Sequence, residues 1–172
     1  TIATYGADAT RFGLMYQMTY GSETLKFDEE AVKTARNFAN KIWNASRFVM
    51  MNTKDHSPAK VKLSVAQKQY LKDLQNLVKE TTKLMDDYKF YIAGEKIYHY
   101  FWHEFCDKIL EESKPAFAQG SGEARATQYM LLEILSTSLK LLHPFMPFIT
   151  EEIWQQLPTA KKSILMVEKW PT

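Results

Sequence analysis

Between Glu30 and Asp55 the chain carries no carboxylate, yet Lys33, Arg36, Lys41, Arg47 and Lys54 place five positive charges there. Lys33, Arg36, Asn37, Asn40, Asn44 and Arg47 recur mostly at three- and four-residue steps, which puts them on one face of a helix. A solvated helix face ordinarily mixes both signs, because Glu and Lys four residues apart stabilise it. Asparagine is also a mediocre helix former, since its amide competes for backbone hydrogen bonds. Amides beside cations offer the chemistry of a nucleic-acid contact, in which cations meet phosphates and amides meet base edges. The structural alternative is that the asparagines bond to neighbouring helices and the cations only solubilise the surface.

Other residue types that could do chemistry point elsewhere. His99 and His103 lie four apart, with Glu104 and Asp107 nearby, a spacing a metal site could use. With a single Cys in the chain and His103 interleaved with an aromatic stripe, structural histidines are the expectation and no metal is assigned. Cys106 follows Phe105 and reads as a small buried hydrophobe, not a nucleophile. The acid pairs Asp86-Asp87, Glu111-Glu112 and Glu151-Glu152 suit solvated faces or first turns. Neither a glycine-rich phosphate loop nor a GxSxG elbow occurs, so no catalytic residue is expected in this chain.

The elements that would carry these residues are helical. Val32, Ala35, Phe38, Ala39, Ile42, Phe48 and Val49 form the apolar stripe of a helix from Asp28 to about Lys54, with Asp28 as N-cap and Phe27 and Val32 as a hydrophobic staple. A short helix over 7–19 precedes it, with Asp8 in its first turn. Pro58 marks a loop. Ser64 and Gln67 fit a capping box opening a helix to about Tyr88, and DYKFYIAGEK is expected to reverse the chain. Ile97, Phe101, Trp102, Phe105 and Ile109 then stripe a fourth helix that should stop before Pro115, with Trp102 packing. A fifth runs from about Glu123 to His143-Pro144, and a short sixth has Thr150 as N-cap with Glu151 and Glu152 in its first turn. The tail SILMVEKWP reads as one extended strand or an irregular arm. The fold class expected is all-α, an antiparallel helix bundle with a short C-terminal extended arm.

With 172 residues, 45% of them hydrophobic, the chain suits one domain with a proper core. The net charge of +2 is too mild to announce nucleic-acid binding alone. A lone cysteine excludes an internal disulfide and suits the cytoplasm. No apolar run has the roughly 18 residues of a membrane span, so a soluble protein is expected, and a monomer because its six helical segments can bury their stripes on one another. Thr1 in place of an initiator Met suggests a fragment.

YGADATRF at 5–12, KFDEEAV at 26–32, RNFANKIWNASRFVMMN at 36–52, FWHEFCDKILEESKP at 101–115 and HPFMPFITEEIWQQLP at 143–158 together resemble the anticodon-binding region of valyl-tRNA synthetases, over nearly the whole chain. The chain departs from many relatives in having AQKQYLKDL where they carry a Trp-Ile pair, and Lys108-Ile109 in place of an aromatic pair. The resemblance implies a class I synthetase bundle spanning 1–172, with 1–25 as the junction from a catalytic domain and 159–172 as a C-terminal arm. It implies contact with the anticodon stem-loop of tRNA(Val) and with the catalytic domain of a longer parent chain. Lys33, Arg36, Asn37, Asn40, Lys41, Asn44, Arg47, Lys54 and His56 are the RNA-binding candidates. No cofactor is expected in this chain, because the family handles ATP and magnesium in its catalytic domain. The alternative is a helical scaffold that binds a protein partner through the same polar face.

Overall fold

A computed structural model describes residues 2–18, 27–55, 60–118, 122–158 and 163–172. Its longest element, α3 (Glu29–Asn52), begins at Asp28, whose side chain accepts from the Glu30 backbone N–H at 2.9 Å. Val32, Ala35, Phe38, Ile42, Ala45, Ser46 and Val49 are buried along one side of it. Phe27 stays 53% exposed, so the start of α3 depends on the Asp28 cap more than on a staple.

Two helices precede α3: α1 (Ile2–Tyr5) and α2 (Ala7–Tyr16), joined at Gly6, whose φ of 88° suits a residue without a Cβ. A Cβ on Gly13 would stand 2.8 Å from the Cα of Val32, so α2 crosses α3 with the two backbones nearly touching. The Tyr5 hydroxyl donates to Glu29, and Arg36 donates to the Thr4 carbonyl. Both fasten α1 to the start of α3.

α4 (Val65–Asp86) opens on the expected capping box. The Ser64 N–H reaches Gln67 Oε1 at 2.9 Å and the Gln67 N–H reaches Ser64 Oγ at 3.2 Å. The chain then makes the expected tight reversal, but in fewer residues than DYKFYIAGEK spans. Tyr88 takes a left-handed conformation, φ 58°, and the Lys89 N–H bonds back to the Leu84 carbonyl at 2.8 Å, the 6→1 closure of a Schellman turn. Residues 90–96 are therefore helical, as the first part of α5 (Phe90–His99).

The fourth helix differs from expectation in two ways. Between α5 and α6 (Leu110–Ala118) the chain winds as a π-helix, Tyr100–Ile109, with the Leu110 N–H bonded to the Phe105 carbonyl five residues back. Ile97, Phe101, Phe105 and Ile109 are all buried and each is four residues from the next. Such a row drifts by about 40° per step in a 3.6-residue turn, and the wider turns of the π segment oppose that drift. Pro115 does not stop the helix but lies inside α6. It and Glu111, whose carbonyl loses its helical partner, are both exposed, so water can satisfy that group.

α7 (Gly122–Leu142) ends at His143-Pro144 as expected. α8 (Pro147–Gln156) begins three residues before the expected cap. Pro147 takes the first helical position, where a missing N–H costs nothing. The cap is Asp8, which accepts from the N–H groups of Phe148 at 3.2 Å and Ile149 at 2.7 Å. Thr150 is thus inside the helix, its hydroxyl donating to the Met146 carbonyl at 2.8 Å. Glu151 lies beyond the first turn and accepts from the Leu165 N–H at 2.7 Å.

No strand forms among the described residues. The C-terminal arm instead carries a 3-10 turn, Leu165–Val167, with Leu165 buried, and Trp170 Nε1 donates to Thr82 Oγ1 on α4 at 2.8 Å. α7 is packed by α3, α4, α5, α6 and α8, and nearly all its inward side chains, Leu131, Ile134, Leu135 and Leu139 among them, are fully buried. The fold is an all-α bundle built on α7, with α3 exposing its polar side.

Candidate nucleic-acid interface

At 100° per residue, Lys33, Arg36, Asn37, Asn40, Asn44 and Arg47 fall within about 100° of one another on α3. They face opposite the buried stripe of Val32, Phe38, Ile42 and Val49, and all six are exposed. The face runs roughly 21 Å from Lys33 to Arg47 at 1.5 Å per residue. Met51, 65% exposed, continues the same line. Sequence reasoning passed over it, because a lone methionine among apolar neighbours looks like core.

The face has two unlike halves. Near its start, Lys33 is paired with Glu30 at 2.7 Å, and Arg36 is engaged with the Thr4 carbonyl. Further along, Asn37, Asn40, Asn44 and Arg47 make no hydrogen bond or ion pair among the described residues. The asparagines therefore do not brace neighbouring helices, and their amides stay open to a ligand. Lys54 is exposed in the turn after α3. His56 lies outside the described residues.

Lys41 stands apart from the other candidates. It is on the flank of α3, where its Nζ pairs with Asp107 Oδ1 at 2.8 Å and lies 5.2 Å from the centre of the Trp102 ring. The hydrogen bond from Lys41 holds the Asp107 carboxyl below the usual carboxylate range, and Asp107 raises the Lys41 ammonium in return. His103 Nδ1 is 3.3 Å from the other Asp107 oxygen. Trp102 itself stacks on Phe38 at 6.2 Å between ring centres, within an aromatic cluster that includes Phe12 and Tyr98. Where α3 meets α6, a notch of about 200 Å³ lies beneath Asn44, floored by Phe48 and Cys106 and flanked by Lys114.

Cys106 does not offer a nucleophile. Burial pushes the Cys106 thiol up to about 12, leaving it protonated and unreactive near neutral pH. Among the described residues no group of three or more His, Cys, Asp or Glu side chains is placed to hold a metal ion. No helix among them is long and apolar enough to cross a membrane. What the face can do is bind: cations for phosphate, open amides for base edges, and a notch of mixed polar and apolar lining at one margin.

A family described as the anticodon-binding domain of tRNA ligase matches residues 67–172. The chain belongs to that family. The match does not include α3, so the open face lies on the part of the chain that precedes the matched segment. Over 97% of its length the chain is 44% identical to a valine–tRNA ligase of Thermotoga maritima. It is 43% identical, over 99% of its length, to one of Bacillus cereus. It spans about a fifth of those relatives, 19% and 20% of their lengths. The same fold occurs in the LeuRS of an Agrobacterium radiobacter ternary complex with tRNA and LeuAMS, with TM-score 0.67 and 19% identity over 99% of this chain and 20% of that one. It occurs also in a Mycobacterium tuberculosis methionyl-tRNA synthetase bound to methionyl-adenylate, with TM-score 0.71 and 20% identity over 88% of this chain and 32% of that one.

Proposed function

We propose that this anticodon-binding domain serves a valine–tRNA ligase, and that its α3 face receives the anticodon stem-loop of tRNA(Val). The observation that carries the reading is the row Asn37, Asn40, Asn44 and Arg47, exposed opposite the core and without partners among the described residues. In this reading Arg47, Lys54 and His56 meet phosphates or base edges of the loop, while the asparagines read or position bases. Lys33 and Arg36 contribute positive field from the fastened half of the face, and Lys41 positions the π segment through Asp107. Identity of 43% and 44% to valine–tRNA ligases over nearly the whole chain supports the amino-acid specificity.

The domain's part in the ligase reaction is recognition. Attachment of valine with ATP and magnesium belongs to a catalytic domain of a longer parent chain, whose handover would be residues 1–25, with 159–172 as an arm on the bundle. A buried, unpaired Cys106 suits work in the cytoplasm.

Binding of a fluorescent hairpin RNA carrying the valine anticodon stem and loop tests the reading. Affinity should fall steeply as salt rises, because neutralised phosphates release counterions. A hairpin differing only in its anticodon should bind more weakly. Equal affinity for the two hairpins would remove the specificity, and no binding at low salt would remove the function.

A further inference from the structure

We propose a second RNA contact at the end of the bundle: a cleft between residues 60–64 and the start of α7 that holds the sugar-phosphate backbone beyond the part lying on α3. The proposal rests on the α3 face being an RNA-binding surface. The cleft has a volume of about 510 Å³ and is lined by Lys60, Lys62, Ser64 and Arg125, with Glu123 as its one acid. That size falls in the roughly 300–1,000 Å³ range of pockets that take small organic groups.

Three observations favour phosphate. First, Lys60 and Lys62 are exposed while Val61 and Leu63, which alternate with them, are partly buried. In an extended segment, side chains two apart point the same way, so both ammonium groups are held on one side. Second, Lys60, Lys62 and Arg125 make no ion pair among the described residues, so three cations share a concave surface with a single carboxylate. Third, the cleft is bolted to the end of α3. Gln128 Nε2, one turn after Arg125, donates to the Asn52 carbonyl at 2.9 Å, and Gln67 Nε2 donates to Thr127 Oγ1 at 3.1 Å. The end of α3 and the starts of α4 and α7 thus form one rigid corner, and a backbone leaving Arg47 along α3 is led to it. Lysine and arginine contacts of this kind position a strand without reading its sequence.

The test compares three variants of this chain, each checked for an unchanged far-UV spectrum and melting temperature. One neutralises the cleft (Lys60→Gln, Lys62→Gln, Arg125→Gln). One alters the α3 face (Asn40→Ala, Arg47→Ala). The third removes the same charge from exposed positions on the outer face of α4 (Lys68→Gln, Lys72→Gln, Lys79→Gln). Each is titrated with the valine anticodon hairpin and with the altered-anticodon hairpin across a salt series.

The cleft variant should lose about tenfold in affinity for both hairpins. Its log–log salt slope should be shallower by about 2, at roughly 0.7 per phosphate on a single strand. The α4 variant should stay within about twofold of the parent. If the cleft variant binds like the parent while the α3 variant is weakened, the cleft is off the RNA path and only this proposal falls. If the α4 variant loses as much as the cleft variant, the effect is one of net charge and the proposal is overturned. If the α3 variant binds both hairpins like the parent, the α3 reading fails and the premise of a continuous track fails with it.

Discussion

Asp8 Oδ2 lies 2.7 Å from the backbone nitrogen of Ile149, 141 residues further along the chain. With Phe148 N–H on its other oxygen at 3.2 Å, the Asp8 carboxylate caps α8 from outside that helix, and it is 9% exposed while doing so. A charged acceptor on orphan N–H groups at a helix start satisfies donors that would otherwise be buried unpaired, and it complements the helix dipole. Replacing Asp8 by Ala should therefore cost about 1–3 kcal/mol in denaturant unfolding. Asn, which keeps one acceptor oxygen, should recover part of that loss. A loss below about 0.5 kcal/mol for Asp8→Ala would mean that the Pro147 start alone sustains α8.

Gly13 and Gly94 separate a rigid close approach from a yielding one. A Cβ at Gly13 would meet Val32 backbone, at 2.8 Å from its Cα, whereas at Gly94 it would meet the end of the flexible Met15 side chain. Gly13→Ala should force α2 away from α3 and cost about 1–3 kcal/mol. Gly94→Ala should cost less, because the Met15 thioether can rotate aside. Thermal melts of the two variants check the order, and equal destabilisation would count against a backbone contact at the α2–α3 crossing.

His143 provides the pH dependence. Its Nδ1 is 2.8 Å from Thr150 Oγ1, its Nε2 is buried without a hydrogen-bond partner among the described residues, and burial pushes its pKa down from 6.5. The unfolded chain then takes up the proton at a higher pH than the folded chain does. The neutral imidazole's advantage to the fold is thus complete above about pH 6.5 and is lost as pH falls through that value towards the folded pKa. The melting temperature should drop between about pH 7 and 5 more for the parent than for His143→Gln. Parallel curves would show that His143 does not contribute.

These three relationships mark where the sequence could and could not be read. Asp28 and the Ser64–Gln67 box were legible because a cap and its helix lie within a few residues, and the apolar stripes because their period survives folding. The Asp8 cap was not, since its partner is 141 residues away and Asp8 also fits the first turn of its own helix. Thr150 looked like an N-cap for the same reason: local rules rank Thr above Met, and only the tertiary position of Asp8 lets α8 start at Pro147. The π segment left a trace in the four-residue spacing of Ile97, Phe101, Phe105 and Ile109, which was read as ordinary helical stripe. Of the candidate site, the face of Asn37, Asn40, Asn44 and Arg47 follows from periodicity. Lys41, a candidate for its charge alone, sits on the flank by the same periodicity, and its pairing with Asp107, 66 residues on, could not be read locally. The Lys60, Lys62 and Arg125 cleft needed two distant segments brought together, which no local pattern encodes.

Arg47 and Lys41 therefore make opposite predictions, although both are cations on the same helix. Arg47 is exposed and unpaired among the described residues, so Arg47→Ala removes no described hydrogen bond or ion pair and introduces the best helix former. Stability should stay within about 0.5 kcal/mol. Binding of the valine anticodon hairpin should fall by roughly 1–3 kcal/mol if the guanidinium grips a base edge bidentately, by analogy with groove readout, and discrimination between hairpins should relax. A phosphate contact would weaken both hairpins alike and flatten the salt dependence. Lys41→Ala should do the reverse. It removes the partner that holds Asp107 ionised and the cation over Trp102, a pair still about a third to a half exposed and so worth less than about 1 kcal/mol. Hairpin affinity should hardly change. The Asp107 carboxyl, followed by NMR, should titrate at a higher pH in Lys41→Ala than in the parent, because the hydrogen bond that depressed it is gone. The parent's share of stability from this pair should be present above about pH 4 and fade as the pH falls through the depressed Asp107 value. If Lys41→Ala weakens RNA binding as much as Arg47→Ala does, Lys41 must leave Asp107 when RNA arrives, and the binding surface extends around the flank of α3 to Trp102.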